Sequence, residues 1–330
     1  MNRGTFVVSL DFELMWGFFD LPHKESFHDS VLNARIAIPK ILELFTTYNV
    51  HATWAVVGFL FFKTKRDLLK ALPEKKPKFR NAQLSPYEYL NEVGDNEDTD
   101  RFHYGVSLIE KIRTTHGQEI GTHTFSHYYC LEKESDPISF KSDLKAALQA
   151  GERIGFRLES LVFPRNQFNP IFLPTLKELG IKTFRGNAPS KIYAPASARL
   201  YNTLPRKILR FLDAYVNLTG HNTYQLTVRN DPLDIPRSRF LRPSISRLKW
   251  LEPIRLSRIK NEMLFAAKTG NIYHLCLHPH NFGRNMDENL HFLEEIMKHF
   301  SRLREKFGIR SQNMIETYQH AKKAVNQNRK

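Results

Sequence analysis

The 330-residue chain carries 49 Lys and Arg against 34 Asp and Glu, a formal charge of +15, and is 41% hydrophobic. That length and apolar content suit one large α/β domain or two small ones, and two cysteines exclude a disulfide scaffold and fit a reducing compartment. The longest apolar run, 52–62, is too short to cross a bilayer.

Apolar stretches alternate with helical patterns, which predicts repeated βα units around a parallel sheet. A first strand is expected over 5–12, preceded by too little chain for a signal peptide, so a cytoplasmic location is expected. A helix follows over 31–48, with Ile36, Leu42, Leu44 and Phe45 mostly on its inner side, then a second strand over 51–60. The rhythm breaks over 63–105, where charge runs at 74–78 and 95–100 mark an insertion or lid. A helix over 106–116, a strand over 119–122, a helix over 139–154 and a strand over 161–163 resume it. A helix over 171–179 stops at Gly180, and a fifth strand covers 181–185. The segment 187–260 is irregular and basic, with a helix expected over 204–218. A late strand over 271–277, a long helix over 288–306 and a closing helix over 315–325 complete a single domain, 1–330, without repeats.

Three short segments carry chemistry. Residues two apart on a strand share a face, so Ser9, Asp11 and Glu13 point one way and Val8, Leu10 and Phe12 the other. If the apolar side meets helices, both carboxylates point into a barrel mouth, and parallel barrels carry their sites at C-terminal strand ends. The bland alternative is a strand ending in solvated acids. His123 and His127 follow the third strand directly. Their spacing alone decides nothing among fourteen histidines, since His274 and His278 match it too. Two imidazoles plus a carboxylate is nevertheless a common open zinc set. On the late strand His274 is expected in the core, with His278 and His280 at the strand end. Arg165 follows the fourth strand, where an arginine beside carboxylates would keep an acid ionised.

These residues, in this order, resemble the polysaccharide deacetylase family with the NodB-homology fold. His123-Thr124-Phe125-Ser126-His127 matches the family's H-[ST]-x-x-H motif unchanged, and 52–58 is similar to its second strand. The likeness runs from about residue 5 to residue 282. It implies a distorted (β/α) barrel of seven strands and hydrolysis of an amide. By resemblance, Asp11 is the catalytic base and Glu13, His123 and His127 hold a divalent metal, zinc by preference. His278 is the leaving-group acid, and Arg165 stands for the arginine that orients the base. Phe12 separates acids that many members have adjacent, Pro164 precedes Arg165 where the family has the reverse, and the fourth motif has only Trp250 and Tyr224 as candidates. The implied reaction is removal of an N-acetyl group from an amino sugar in bacterial surface-polysaccharide or lipopolysaccharide synthesis. The alternatives are a small-molecule amidase or deformylase on the same barrel and an inactive glycan- or membrane-binding barrel.

The segment 199–260 holds thirteen basic and four acidic residues. Its surplus suits phosphate, either a nucleotide- or lipid-diphosphate-linked sugar or an anionic membrane. With no zinc-finger spacing and no aromatic RNA-binding signature, nucleic acid is not an expected partner. Leu204, Ile208, Phe211, Leu212 and Tyr215 recur at spacings of three and four beside Arg206, Lys207 and Arg210. They read either as a barrel helix or as an interfacial helix on the inner membrane face.

Overall fold

The computed structural model describes residues 3–197, 200, 203–226 and 231–327; of the basic segment, Arg199 and Arg229 lie outside the described residues. The strands are β1 (Thr5–Phe12), β2 (Ala52–Val56), β3 (Gln118–Thr122), β4 (Ser160–Val162), β5 (Thr183–Arg185), β6 (Leu233–Asp234), β7 (Arg239–Phe240), β8 (Ile272–Leu277) and β9 (Arg310–Gln312). They form one sheet in the order β6-β5-β4-β3-β2-β1-β8-β7, with β9 on β1, and every ladder is parallel. One edge of β1 is shared. Thr5–Val7 pairs with β9 and Val8–Phe12 with β2.

The sheet curls until its ends are one strand. Leu233, Ile235 and Arg237 donate their backbone N–H groups to Lys182, Phe184 and Gly186, at 2.9, 2.9 and 3.0 Å. Ser238 and Leu241 then donate to His274 and Cys276, at 2.8 and 2.7 Å. The segment 233–241 thus pairs first with the β5 side and then with β8. Counted this way the distorted barrel has seven staves, one of them in two halves, with β9 as an additional strand.

Alternation sorts the two faces of β1. Phe6, Val8, Leu10 and Phe12 face outward into the main core, where Phe6 meets Phe300 of helix Met286–Phe307 at 5.1 Å. Each such fully buried side chain contributes about 1.5–3 kcal/mol relative to exposure. Val7 faces inward with Ala55, Val162 and Leu233, and Met314 from the closing helix Met314–Gln327 joins them. That helix seals the N-terminal end of the barrel. Met314 donates its N–H to Thr53 Oγ1 at 2.8 Å, and Ile315 donates to Glu119 at 3.2 Å. The opposite end stays polar.

Several elements differ from expectation. The first helix is His28–Thr47, and Ile36 lies on its outer side at 53% exposure, because Ala34, Ile38, Ile41 and Phe45 form the stripe at helical spacing. Helix Glu252–Thr269 was not expected, since buried Arg255, Arg258 and Glu262 break up the apolar stripe that Ile259, Met263 and Ala266 make on its inward face. The expected helix over 204–218 is confined to Leu204–Leu212. The stretch 63–105 contains the short helices Lys65–Lys70 and Pro86–Tyr89; Tyr89 packs against Trp16 at 5.9 Å, and the Tyr89 hydroxyl meets buried His103 at 2.8 Å. Cys130 and Cys276 are free and buried. No helix among the described residues is long and apolar enough to cross a membrane.

Candidate metal centre

The C-terminal ends of β1, β3, β5 and β8 deliver the charged side chains to one point. Glu13 follows β1 and precedes a single 3₁₀ turn, Leu14–Gly17. Gly17 is needed there, because a Cβ at that position would lie 1.7 Å from Glu13 Oε2. Glu13 Oε1 lies 3.3 Å from His123 Nε2 and 3.8 Å from His127 Nε2. All three residues are buried.

Hydrogen bonding fixes what these imidazoles can do. His123 Nδ1 lies 2.9 Å from the Val162 carbonyl, which can only accept, so Nδ1 carries the proton. Nε2 is therefore the ring nitrogen turned toward the Glu13 carboxylate and placed to serve as a ligand. His123 Nε2 and both ring nitrogens of His127 are buried without a hydrogen-bond partner. Buried polar atoms are rarely left so. A cation between three lone-pair donors removes the conflict, and spacings of 3.3 and 3.8 Å suit ligands each about 2.0–2.2 Å from one ion. These residues fit a divalent metal.

The loop that carries the histidines is strained and braced. Thr124 and His127 have φ of 63° and 58°, a region costly for a β-branched residue. Asp143, from helix Pro137–Arg153, accepts the N–H groups of Phe125 at 2.7 Å and Ser126 at 3.2 Å, and the Ser126 hydroxyl. Burial pushes the Asp143 carboxyl up to about 6 despite these donors.

Asp11 is separately held. Arg185, the last residue of β5, forks onto it, Nη1 to Oδ1 at 2.5 Å and Nη2 to Oδ2 at 2.7 Å. Burial raises the Asp11 carboxyl, but Arg185 and then His278 outweigh it and hold the group well below the usual carboxylate range. A second trio, Asp11, Glu13 and His278, is also close enough to share an ion. Both Asp11 oxygens are already engaged, so the Glu13, His123 and His127 set is the better cage.

The expected role of Arg165 is corrected here. Arg165 pairs with Asp20 at 2.5 Å and lies over the Tyr129 ring at 4.6 Å, and the partner of Asp11 is Arg185. A signal existed in the sequence. Phe184 and Arg185 alternate at the end of the fifth strand, with Phe184 in the outer core and Arg185 facing in. Arg185 also donates to Ser9 Oγ at 3.0 Å, and that hydroxyl meets His274 Nε2 at 2.8 Å. Burial lowers His274 to about 3, so it is a neutral core histidine that braces this network.

His278 Nε2 lies 3.1 Å from Asp11 Oδ2 and 3.9 Å from Glu13 Oε1. Burial lowers its pKa, and the charges of Glu13 and Asp11 more than reverse that, leaving it raised. His280 stands 4.9 Å from His278, ring to ring, and burial with the charge of His278 lowers it to about 3. Trp250 is 73% exposed and Tyr224 hydrogen-bonds Pro236; neither lines the cavity above the cluster.

That cavity is about 700 Å³. Glu13, His127, His278 and His280 form its floor, and Phe18, Tyr193, Phe211 and Phe240 give it aromatic walls. Lys207, Arg210, Arg237, Arg239 and Arg242 of the basic segment line one side, and 63–105 supplies no lining residue.

No family model and no curated protein matches the sequence. Among solved structures, the chain is similar to a Mycobacterium smegmatis protein provisionally described as a polysaccharide deacetylase. The TM-score is 0.59 at 14% identity, over 98% of this chain and 92% of that one. It is also similar to the PuuE allantoinase, with a TM-score of 0.52 at 11% identity over 96% and 88% of the two chains. The fold is that of the polysaccharide deacetylase type.

Proposed function

We propose that this protein is a metal-dependent hydrolase that removes an N-acetyl group from an amino sugar during synthesis of a bacterial surface polysaccharide or lipopolysaccharide. The observation that carries the reading is the pair of bare imidazole nitrogens turned on Glu13, beside an Asp11 that Arg185 keeps ionised. Glu13, His123 and His127 would hold the ion, zinc by preference. When bound, such an ion polarises an acyl oxygen and eases deprotonation of a nearby water. Asp11 takes the proton of the attacking water, and Arg185 fixes both carboxylate oxygens so that the base stays charged and aimed. His278 then donates a proton to the leaving amine. His280, neutral and packed edge-on against Phe18 at 4.5 Å, limits where His278 can swing. Lys207 and Arg242, the least buried cations of the cavity wall, favour a substrate with a phosphate or diphosphate link beside its sugar.

The test is acetate release from a panel of N-acetylated sugar nucleotides and lipid-linked sugars. Release is expected to stop after chelation and to return with zinc. A protein that binds one zinc per chain yet releases no acetate from any member would overturn this reading.

A further inference from the structure

Helix Leu204–Leu212 is turned inside out. Arg210 is its buried side chain, whereas Leu204, Ile208, Leu209 and Leu212 are 69, 48, 42 and 44% exposed. Leu204, Ile208 and Leu212 recur every fourth residue and share a face. Val216 and Leu218 continue the apolar surface at 57 and 47% exposure. The helix is held from its polar side. The next residue, Asp213, is fully buried and accepts from Arg258 at 3.0 Å and from the Tyr193 hydroxyl at 2.8 Å.

A second exposed group lies alongside. Ile245, Trp250 and Ile254 are 42, 73 and 47% exposed, and Ile254 shares one surface depression with Tyr215. Lys207, Arg247 and Lys249 are exposed on the same two stretches, and neither 203–212 nor 241–251 contains an acidic residue, although Lys249 lies 3.7 Å from Glu288 of the helix Met286–Phe307. Single exposed apolar residues are ordinary, but a surface of leucines and a tryptophan set among cations is not.

We infer that this face docks on an anionic lipid bilayer, with helix Leu204–Leu212 in the headgroup plane. Leucine and tryptophan beside lysine and arginine is the composition of an interfacial helix. Charge selects this occupant over a second copy of the chain, because a two-fold contact would set these cations against themselves. The docked face also borders the cavity. Ile208 is half exposed and still lines the cavity wall, so the mouth would open at headgroup level, where a lipid-linked substrate could enter without leaving the membrane. Use of such a substrate rests on the hydrolase reading; docking does not, and is measured without turnover.

The experiment is flotation of the full chain with vesicles of phosphatidylcholine alone or mixed with phosphatidylglycerol, at low and high salt. Tryptophan emission provides a second readout. Trp16 and Trp54 are fully buried, so a blue shift on vesicle addition reports Trp250. Binding is expected to the anionic vesicles, falling on the order of tenfold in high salt or with phosphatidylcholine alone. The triple variant Leu204→Glu/Leu209→Glu/Leu212→Glu should lose at least about tenfold in binding while its circular dichroism melt is kept, as should Arg247→Glu/Lys249→Glu. Trp250→Phe should abolish the blue shift with binding retained. Three results overturn the inference: no flotation, equal binding to both vesicle types at all salts, or a chain dimer in solution that the leucine variant dissolves.

Discussion

Two clusters of charge are buried in this protein, and they differ in how completely they are paired. Around Asp213, every charged group has a protein partner. Arg239 forks onto Glu262 at 2.8 and 2.6 Å, Tyr273 donates to Glu262 at 3.0 Å, and Arg258 and Tyr193 donate to Asp213. At the strand ends, His123 Nε2 and His127 Nε2 face Glu13 with no hydrogen-bond partner. A closed network is a strut, since each buried charge already offsets the desolvation of its neighbour. An open one has a place left for a ligand. Burial and charge density look alike in the two clusters; the unpaired atoms separate them.

Mutations should divide along that line. The largest effect is expected from His123→Ala. Zinc stoichiometry, measured by atomic absorption, should fall to zero and acetate release with it, while the variant still folds and melts close to the parent stripped of its metal. Loss of folding in that variant would place His123 among the struts instead. Next comes Arg185, which belongs to both classes. Arg185→Met should lower kcat about 10²–10⁴-fold, as removal of a general base does, with zinc still bound. Arg165→Met leaves the partner of Asp11 in place and should cost far less, so equal losses in the two variants would restore the role first expected for Arg165.

Asp213→Ala should act on stability. It leaves two buried arginines, Arg239 and Arg258, to share the single carboxylate of Glu262, at a cost of about 3–5 kcal/mol. Urea denaturation should show this, and amide exchange should quicken over 203–226 while zinc stoichiometry stays at one. A loss of metal without a loss of stability would erase the distinction between the clusters. The smallest effect concerns an ion pair at the sealed end of the barrel, where His51 Nδ1 lies 2.8 Å from Glu316. The hydrogen bond to Glu316 raises His51 above its ordinary 6.5, and Glu316 is lowered from 4.5, burial being outweighed by its hydrogen bond to His51. The His51 contribution is full below pH 6.5 and fades as pH rises through its folded pKa. The Glu316 contribution is present above 4.5 and fades as pH falls through its own. His51→Gln should therefore cost most between pH 4.5 and 6.5, less than about 1 kcal/mol for a pair this solvated. Melting curves across pH give the difference, and one that grows above pH 8 would be the wrong sign.

Legibility followed hydrophobic order. β1, β2, the strand before His123 and the long helix before the C-terminus were readable because apolar residues recur at periods of two or 3.6 and end in turn residues. Where interior positions are charged, the pattern inverts. Helix Glu252–Thr269 buries Arg255, Arg258 and Glu262, and helix Leu204–Leu212 exposes its leucines, so periodicity misjudged one and could not orient the other. β6 and β7, each of two residues with Pro232 and Pro236 around them, are too short to carry a period at all.

By itself the sequence determined which strand ends carry the chemistry. Alternation along β1 puts Ser9 and Asp11 on one side, and the strand before His123 fixes where that histidine emerges. Only the tertiary structure decided which arginine reaches Asp11. Arg165 and Arg185 both stand at the C-terminal ends of barrel strands, and sequence position ranks them equally. Arg165 adopts a φ of 52° in the turn after β4 and swings to Asp20 and Tyr129, while Arg185, still within the pleat of β5, points across the barrel to β1. That choice depends on backbone direction at two strand ends and on the curl that brings β5 opposite β1, neither of which a local pattern encodes.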